Sequence, residues 1–111
     1  MGRRAAMAGT ARQGQRPMES LKDPQEAQAH LERALEEYEQ TGETKGLLLA
    51  LRDVAEVQGG VGELAKRAGV NREHLYRVLS SRSKPRVDNL LAIIGGLGFR
   101  VRLEAQGTPA R

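Results

Sequence analysis

The most constraining feature of this chain is Gly69, which separates two stretches of helical apolar spacing. Around it, apolar residues recur three or four positions apart, the period of one face of an α-helix: Leu64, Ala65, Ala68, Val70, Leu75, Val78 and Leu79. The small side chains of Ala65 and Ala68 allow two helices to approach closely. Gly69 permits a left-handed turn, and Asn71 can cap the helix that follows. The pattern therefore predicts two short helices, at about 62–68 and 72–79, that share one core.

This spacing is that of a helix-turn-helix, whose second helix would present its polar side chains outward. A protein that recognises DNA sequence in the major groove places such a helix against the base edges. The predicted base-reading residues are Arg72, Glu73, Tyr76 and Arg77. An arginine fork matches O6 and N7 of guanine, and Glu73 can accept from a cytosine amino group. The alternative for each is a solvated surface side chain, or, for Tyr76, packing over the following loop.

Basic residues are dense around the two predicted helices. Seven lie between Lys66 and Arg86, against one acidic residue, Glu73. Side chains in the loop after a reading helix reach the DNA backbone. The predicted phosphate-contacting residues are therefore Arg82, Lys84 and Arg86 in that loop, with Gly62 and Asn71 at the starts of the two helices. Contacts of this kind would dominate affinity and make it fall steeply with salt.

Charge and composition divide the rest of the 111-residue chain. Residues 1–18 carry four arginines and no acid, and they predict a disordered basic tail. Residues 19–58 carry ten acidic residues against four basic ones and predict acidic helices that pack on the core, one from Asp23 and Pro24 to about Gln40 and one from about Glu43 to Val57. Their charge indicates either a partner-binding face or a merely solvated one. Residues 59–98 form the basic helix-turn-helix region, and residues 106–111 a second disordered tail.

A fifth helix and a short strand complete the prediction. The helix, at about 87–97, offers an apolar stripe to the core: Val87, Leu90, Leu91, Ile94 and Leu97. Over 99–105 the period changes to two, with Phe99, Val101 and Leu103 alternating with charged residues. No second strand is visible in the sequence, so we expect antiparallel pairing with the same strand of a second copy. The alternative is an extended tail packed on its own domain. The fold class is thus all-α with five helices and a C-terminal β-strand that pairs across a homodimer.

The composition argues against an enzyme and against a membrane protein. The chain lacks cysteine and has no apolar run near the ~18 residues of a membrane span, so a cytoplasmic location is expected. Neither His30 nor His74 has a metal ligand or triad partner at a suitable spacing. Three aromatic residues are too few for stacking on single-stranded nucleic acid. We expect no catalytic residue, metal, cofactor or small-molecule substrate.

The chain resembles the Cro/repressor-like helix-turn-helix superfamily at Glu63-Leu64-Ala65, Ala68-Gly69-Val70, Leu75, Arg77, Pro85, Leu90 and Leu97-Gly98. Over roughly residues 20–105 the chain resembles, more specifically, the HigA-type addiction-module antidote proteins. This closer resemblance rests on the acidic N-terminal helix and on Leu48-Ala50-Leu51-Arg52-Asp53-Val54-Ala55. It implies an antitoxin of a type II toxin–antitoxin module that neutralises a RelE/ParE-like toxin. It also implies that a dimer binds double-stranded operator DNA and represses its own operon.

The chain departs from the superfamily pattern at two places. Gly60-Val61 stands where relatives often have Thr or Ser followed by Gln, so a side-chain phosphate contact is lost there and only a backbone contact remains. Ser81 stands where the pattern usually has Gly, which changes the exit from the second helix. Two alternatives to the antitoxin are a free-standing helix-turn-helix repressor and a protein-interaction module that uses this fold as a scaffold.

Overall fold

A computed structural model describes residues 18–80, 82 and 84–107, which form five α-helices after a short 3₁₀ turn, Met18–Lys22. The helices are α1 (Pro24–Thr41), α2 (Lys45–Val57), α3 (Val61–Ala68), α4 (Arg72–Val78) and α5 (Val87–Gly96). The all-α prediction is confirmed, and the 3₁₀ turn was not predicted. The predicted tails lie outside the described residues except for Met18 and residues 106–107, and the predicted change of turn at Ser81 also lies outside them.

Local sequence sets the ends of α1 and α2. The Asp23 carboxylate accepts from the Gln25 backbone N–H at 2.9 Å, with Pro24 in the first helical position, as predicted. Gly42 ends α1 with a φ of 74°. Helix α2 starts at Lys45, two residues later than predicted, and in the preceding turn the Glu43 backbone N–H donates to the Thr41 hydroxyl at 3.0 Å.

The turn between α3 and α4 has the predicted chemistry. Gly69 ends α3 with a φ of 72°, in the left-handed region. The Asn71 side-chain oxygen accepts from the His74 backbone N–H at 3.0 Å and caps α4. Val70 packs against the core between them. Both local predictions, the left-handed glycine and the asparagine cap, are confirmed.

One hydrophobic core joins the helices. Its largest fully buried side chains come from α2, α3, α4 and α5: Leu48, Leu51, Val54, Val61, Leu64, Leu75 and Ile93. Helix α1 covers this core with Ala27, Leu31 and Ala34, and the 3₁₀ turn adds Leu21. Burying a large apolar side chain contributes about 1.5 to 3 kcal/mol, so the two short helices α3 and α4 are held mainly by tertiary packing.

Helices α3 and α5 approach closely at Gly96. A Cβ atom at this position would lie 2.7 Å from Cδ1 of Leu64 and 3.2 Å from Cβ of Ala68. Such distances leave no room for a methyl group in a close-packed interior. Gly96 lies within α5, and its lack of a side chain allows α3 to pack against this helix.

The predicted buried face of α5 is wrong at two positions. Val87 is 69% exposed and Leu91 is 48% exposed, although both fit the predicted apolar stripe. Ile94 and Leu97 are buried and Leu90 packs at the edge of the core, as predicted, whereas the buried Ile93 was not predicted. These four positions also have helical spacing. A helix with apolar residues all round has no single apolar face in its sequence, and the position of α3 decides which face is buried.

The predicted C-terminal strand is not seen among the described residues. Residues 99–106 have no regular secondary structure. Phe99 packs against the core, whereas Val101 and Leu103 are exposed. A β-strand needs a neighbouring strand for its backbone hydrogen bonds, and one copy of the chain supplies none in the described part. Among the described helices, none is long and apolar enough to cross a membrane.

Candidate nucleic-acid interface

The four predicted base-reading side chains share one exposed face of α4. Arg72, Glu73, Tyr76 and Arg77 are all exposed. The opposite face is buried through Leu75 and Val78. Residues one turn apart lie above one another on a helix, so Arg72 and Tyr76 form one row and Glu73 and Arg77 a second. The arrangement offers two guanidinium groups, a carboxylate and a phenol to a molecule lying along α4.

Arg72 lies where α4 meets the start of α3. A Cβ atom on Gly62 would be 3.6 Å from Nε of Arg72, and Cζ of Arg72 is 5.9 Å from the centre of the Tyr76 ring. The second distance is within the range of a cation–π contact. Arg72 therefore lies between a predicted phosphate contact, Gly62, and a predicted base contact, Tyr76. All three border an open depression of about 550 Å³.

The starts of α3 and α4 differ in whether a side chain accepts a hydrogen bond from their first backbone N–H groups. Helix α4 is capped by Asn71, so the side-chain oxygen of Asn71 is already engaged. Helix α3 begins after Gly60, which has a φ of 100° and no side chain to cap the first turn. The first N–H groups of a helix have no partner within the helix. At α3 these groups remain available to an external acceptor beside Gly62.

The three predicted phosphate contacts in the loop before α5 are exposed, and one of them already has a partner. Arg82 and Lys84 are exposed. Arg86 donates to Asp88 through Nε at 3.1 Å and Nη2 at 3.3 Å. The hydrogen bond and charge of Asp88 raise the pKa of Arg86. The hydrogen bond from Arg86, with a second from the Asn89 backbone, lowers the pKa of Asp88. The charge of Arg86 is thus partly compensated, which the sequence analysis missed.

Arg67 has a structural role that the count of basic residues did not reveal. Its Nη2 donates to the Gln58 backbone carbonyl at 2.9 Å, and its Nη1 contacts Gln58 Oε1 at 3.1 Å and the Gly96 carbonyl at 3.4 Å. Gln58 in turn donates from Nε2 to the Leu97 carbonyl at 3.0 Å. These partners lie nine and 29 residues from Arg67, so no local spacing indicates them.

His30 also has a partner that the sequence did not indicate. Its Nε2 lies 3.2 Å from Oδ2 of Asp53, which joins α1 to α2 in a partly buried pair. The two residues are 23 positions apart in the sequence, so no local spacing indicates the pair. Among the described residues, no group of three or more His, Cys, Asp or Glu side chains is arranged to hold a metal ion.

The residues predicted for the dimer strand follow the interface in the sequence, on the segment after α5. Phe99, Val101 and Leu103 follow the end of α5, and only Phe99 packs against the core. The structure therefore brings Arg72 and Tyr76 together with Gly62, keeps Glu73 and Arg77 on the same face of α4, and places the strand residues on the C-terminal segment.

Comparison with known proteins identifies the family of the chain. Residues 16–105 match a family model described as "Probable addiction module antidote protein". The match includes the 3₁₀ turn and all five helices. No curated protein and no solved structure matches the chain significantly. Since the family model covers most of the sequence, the chain belongs to the family of probable addiction module antidote proteins.

Proposed function

We propose that this protein is the DNA-binding antitoxin of a type II toxin–antitoxin module, which neutralises a RelE/ParE-like toxin and represses its own operon as a homodimer. Membership of the antidote family supports the antitoxin role and implies a cognate toxin. The HigA-type assignment rests on the sequence resemblance. We place the protein in the cytoplasm, where operator DNA lies, and assign it no enzymatic activity or cofactor.

The observation that carries the DNA-binding part is the exposed face of α4. Arg72, Glu73, Tyr76 and Arg77 all project from it, on a short helix whose other side is buried in the core. In the proposal α3 and α4 form a Cro/repressor-like helix-turn-helix, and α4 enters the major groove of double-stranded DNA. Arg77 has no described partner that would compete with a base, so it is the first candidate to contact guanine.

The residues around α4 support contacts to the DNA backbone. The uncapped start of α3 at Gly62 and the nearby Arg72 guanidinium offer donors to one phosphate. Arg82 and Lys84 are exposed in the loop that follows α4 and offer charge to the flanking strand. Arg86 contributes less in this proposal because Asp88 is already paired with it. Asn71 contributes through its amide nitrogen, since its oxygen caps α4.

The test is the affinity of the full chain for the duplex upstream of its own gene, against a scrambled duplex, at two salt concentrations. The wild-type protein should prefer the native duplex at both concentrations. Arg77→Ala should weaken binding to the native duplex about 5- to 150-fold, the loss of about 1 to 3 kcal/mol expected for one base contact. It should change binding to the scrambled duplex much less.

Arg33→Ala is the matched control, because Arg33 is an exposed arginine on α1 with no place in the proposed interface. It should leave both affinities unchanged. Equal binding of the wild type to both duplexes, with a steep salt dependence, would show that only phosphates are contacted. Equal losses for Arg33→Ala and Arg77→Ala would overturn the assignment of α4 as the reading helix.

Two alternative functions are separated by a second experiment on the acidic face of α1. The exposed glutamates of this face are Glu32, Glu36, Glu37 and Glu39, with Glu43 in the turn that follows. Their charge reversal should abolish co-purification of a basic toxin and spare DNA binding if the protein is an antitoxin of the proposed kind. Specific DNA binding without any toxin would favour a free-standing repressor. Toxin binding without specific DNA binding would favour an interaction module.

A further inference from the structure

In the segment that follows α5, the backbone N–H and C=O groups of residues 100–107 have no hydrogen-bond partners within the described part of the chain. The last hydrogen bond is formed by Phe99, whose backbone N–H donates to the Ile94 carbonyl at 3.1 Å. Within the described part of the chain, residues 100–107 form no further hydrogen bond. An exposed stretch of unpaired N–H and C=O groups is a template for pairing with another strand.

The side chains of this segment are also unusually exposed for their type. Leu103 is 96% exposed and Val101 is 49% exposed. Both lie at odd positions, and the charged side chains Arg100, Arg102 and Glu104 lie at even positions. In a strand these two sets would occupy opposite faces. Pairing with another copy would thus place the apolar side chains of both strands side by side on one face and the charged side chains on the other.

The charge pattern is self-complementary in one antiparallel register. With the two-fold axis at Leu103, Arg102 lies opposite Glu104 of the second copy, and this pair occurs twice. With the axis at Arg102, Arg100 lies opposite Glu104 twice, but the two Arg102 side chains also lie opposite each other and add a like-charge pair that the Leu103 register lacks. Opposite charges directly across an antiparallel pair are favourable and like charges unfavourable. The Leu103 register also places the two most exposed apolar side chains together at the axis.

We propose that residues 100–106 pair antiparallel with the same residues of a second copy, with the two-fold axis at Leu103 and two Arg102–Glu104 pairs across it. The inference rests on the homodimer in the proposed function and specifies its interface. A bare two-stranded ribbon is only marginally stable. Here each strand is attached to its own domain through Phe99, which packs against the core. The dimer is therefore reversible and its population depends on concentration.

The test measures the monomer–dimer dissociation constant of the full chain by analytical ultracentrifugation. Glu104→Arg should raise this constant at least tenfold, because each Arg102 then faces an arginine. The exchange Arg102→Glu with Glu104→Arg should restore it to within about threefold. Arg100→Glu with Glu104→Arg is the matched control, since it has the same net charge but restores pairing only if the axis is at Arg102.

Each outcome decides the proposal. Restoration by the Arg102 exchange alone supports the register, whereas restoration by the Arg100 exchange alone overturns it. A dimer unaffected by Glu104→Arg and by Leu103→Asp would place the interface elsewhere and leave the homodimer standing. A wild-type monomer at all concentrations would overturn the homodimer as well, while specific DNA binding is measured separately. Circular dichroism and urea unfolding check that the exposed substitutions leave the fold intact.

Discussion

The guanidinium of Arg67 donates to the backbone carbonyl of Gln58 at 2.9 Å, which ties α3 to the end of α2. The same guanidinium reaches the Gly96 carbonyl, and Gln58 donates to the Leu97 carbonyl. The ends of α2 and α5 therefore meet on one side chain of α3. This network holds α3 in place beside α4 and occupies an arginine that lies within the most basic stretch of the sequence.

Arg67→Ala should lower the free energy of unfolding by about 1 kcal/mol. A hydrogen bond to a charged group contributes about 1.5 to 3 kcal/mol when buried, and the exposure of Arg67 reduces that value. DNA affinity measured well below the unfolding transition should change less than about twofold. Urea unfolding and the duplex titration give the two quantities. Lys66→Ala is the stability control, because the Lys66–Glu63 pair is exposed. A loss of DNA affinity without a loss of stability would contradict the structural role.

Gly96→Ala and Gly95→Ala should have opposite effects on stability. At Gly96 the added methyl group meets Leu64 and Ala68, and overpacking of this kind destabilises by about 1 to 3 kcal/mol. At Gly95, one residue earlier in α5, a Cβ atom has nothing within 4 Å. Alanine there should stabilise by up to about 1 kcal/mol through helix propensity. Thermal unfolding of both variants is the measurement, and destabilisation of equal size would show that α5 tolerates no side chain at either position.

Asp88→Asn should strengthen DNA binding a few-fold at low salt if the proposed interface is correct. The substitution removes the carboxylate that pairs with Arg86, so the full charge of Arg86 becomes available to a phosphate. The gain should shrink as salt increases. Because Arg86 lowers the pKa of Asp88, the wild-type pair stays charged to lower pH than an isolated aspartate would.

Asp88→Asn is also measured in a protein that carries Arg86→Ala. This comparison distinguishes release of the Arg86 charge from direct repulsion of DNA by the Asp88 carboxylate. In that background Asp88→Asn should have little effect. An undiminished gain would show that Asp88 acts on the DNA directly and that Arg86 makes no phosphate contact.

Asn71→Ala should destabilise the protein by about 0.5 to 2 kcal/mol, the usual loss for a helix cap. The lost contact is the hydrogen bond from the His74 backbone N–H at 3.0 Å. Asn71→Asp keeps an accepting oxygen and should retain stability, measured by thermal unfolding. It should nevertheless weaken DNA binding, because it brings a negative charge and removes the amide donor. Unchanged DNA affinity in Asn71→Asp would exclude Asn71 from the phosphate contacts.

The sequence predicted those features that depend on neighbours along the chain. The caps Asp23 and Asn71, the left-handed Gly69 and the exposed face of α4 were all predicted correctly. Helix ends were displaced by one or two residues, as at the start of α2, which lies at Lys45 rather than at Glu43. The assignments of base-reading and phosphate-contacting roles remain predictions.

The sequence by itself determined the helices, their caps and the family, because these follow from periodicity, turn chemistry and residue identity along the chain. Only the tertiary structure decided which face of α5 is buried, why Gly96 must be small, and which distant residues Arg67 and His30 contact. The Arg67–Gly96 and His30–Asp53 contacts join residues 29 and 23 positions apart. Their partners are set by how the helices pack against one another, and that packing depends on the whole core rather than on any one segment.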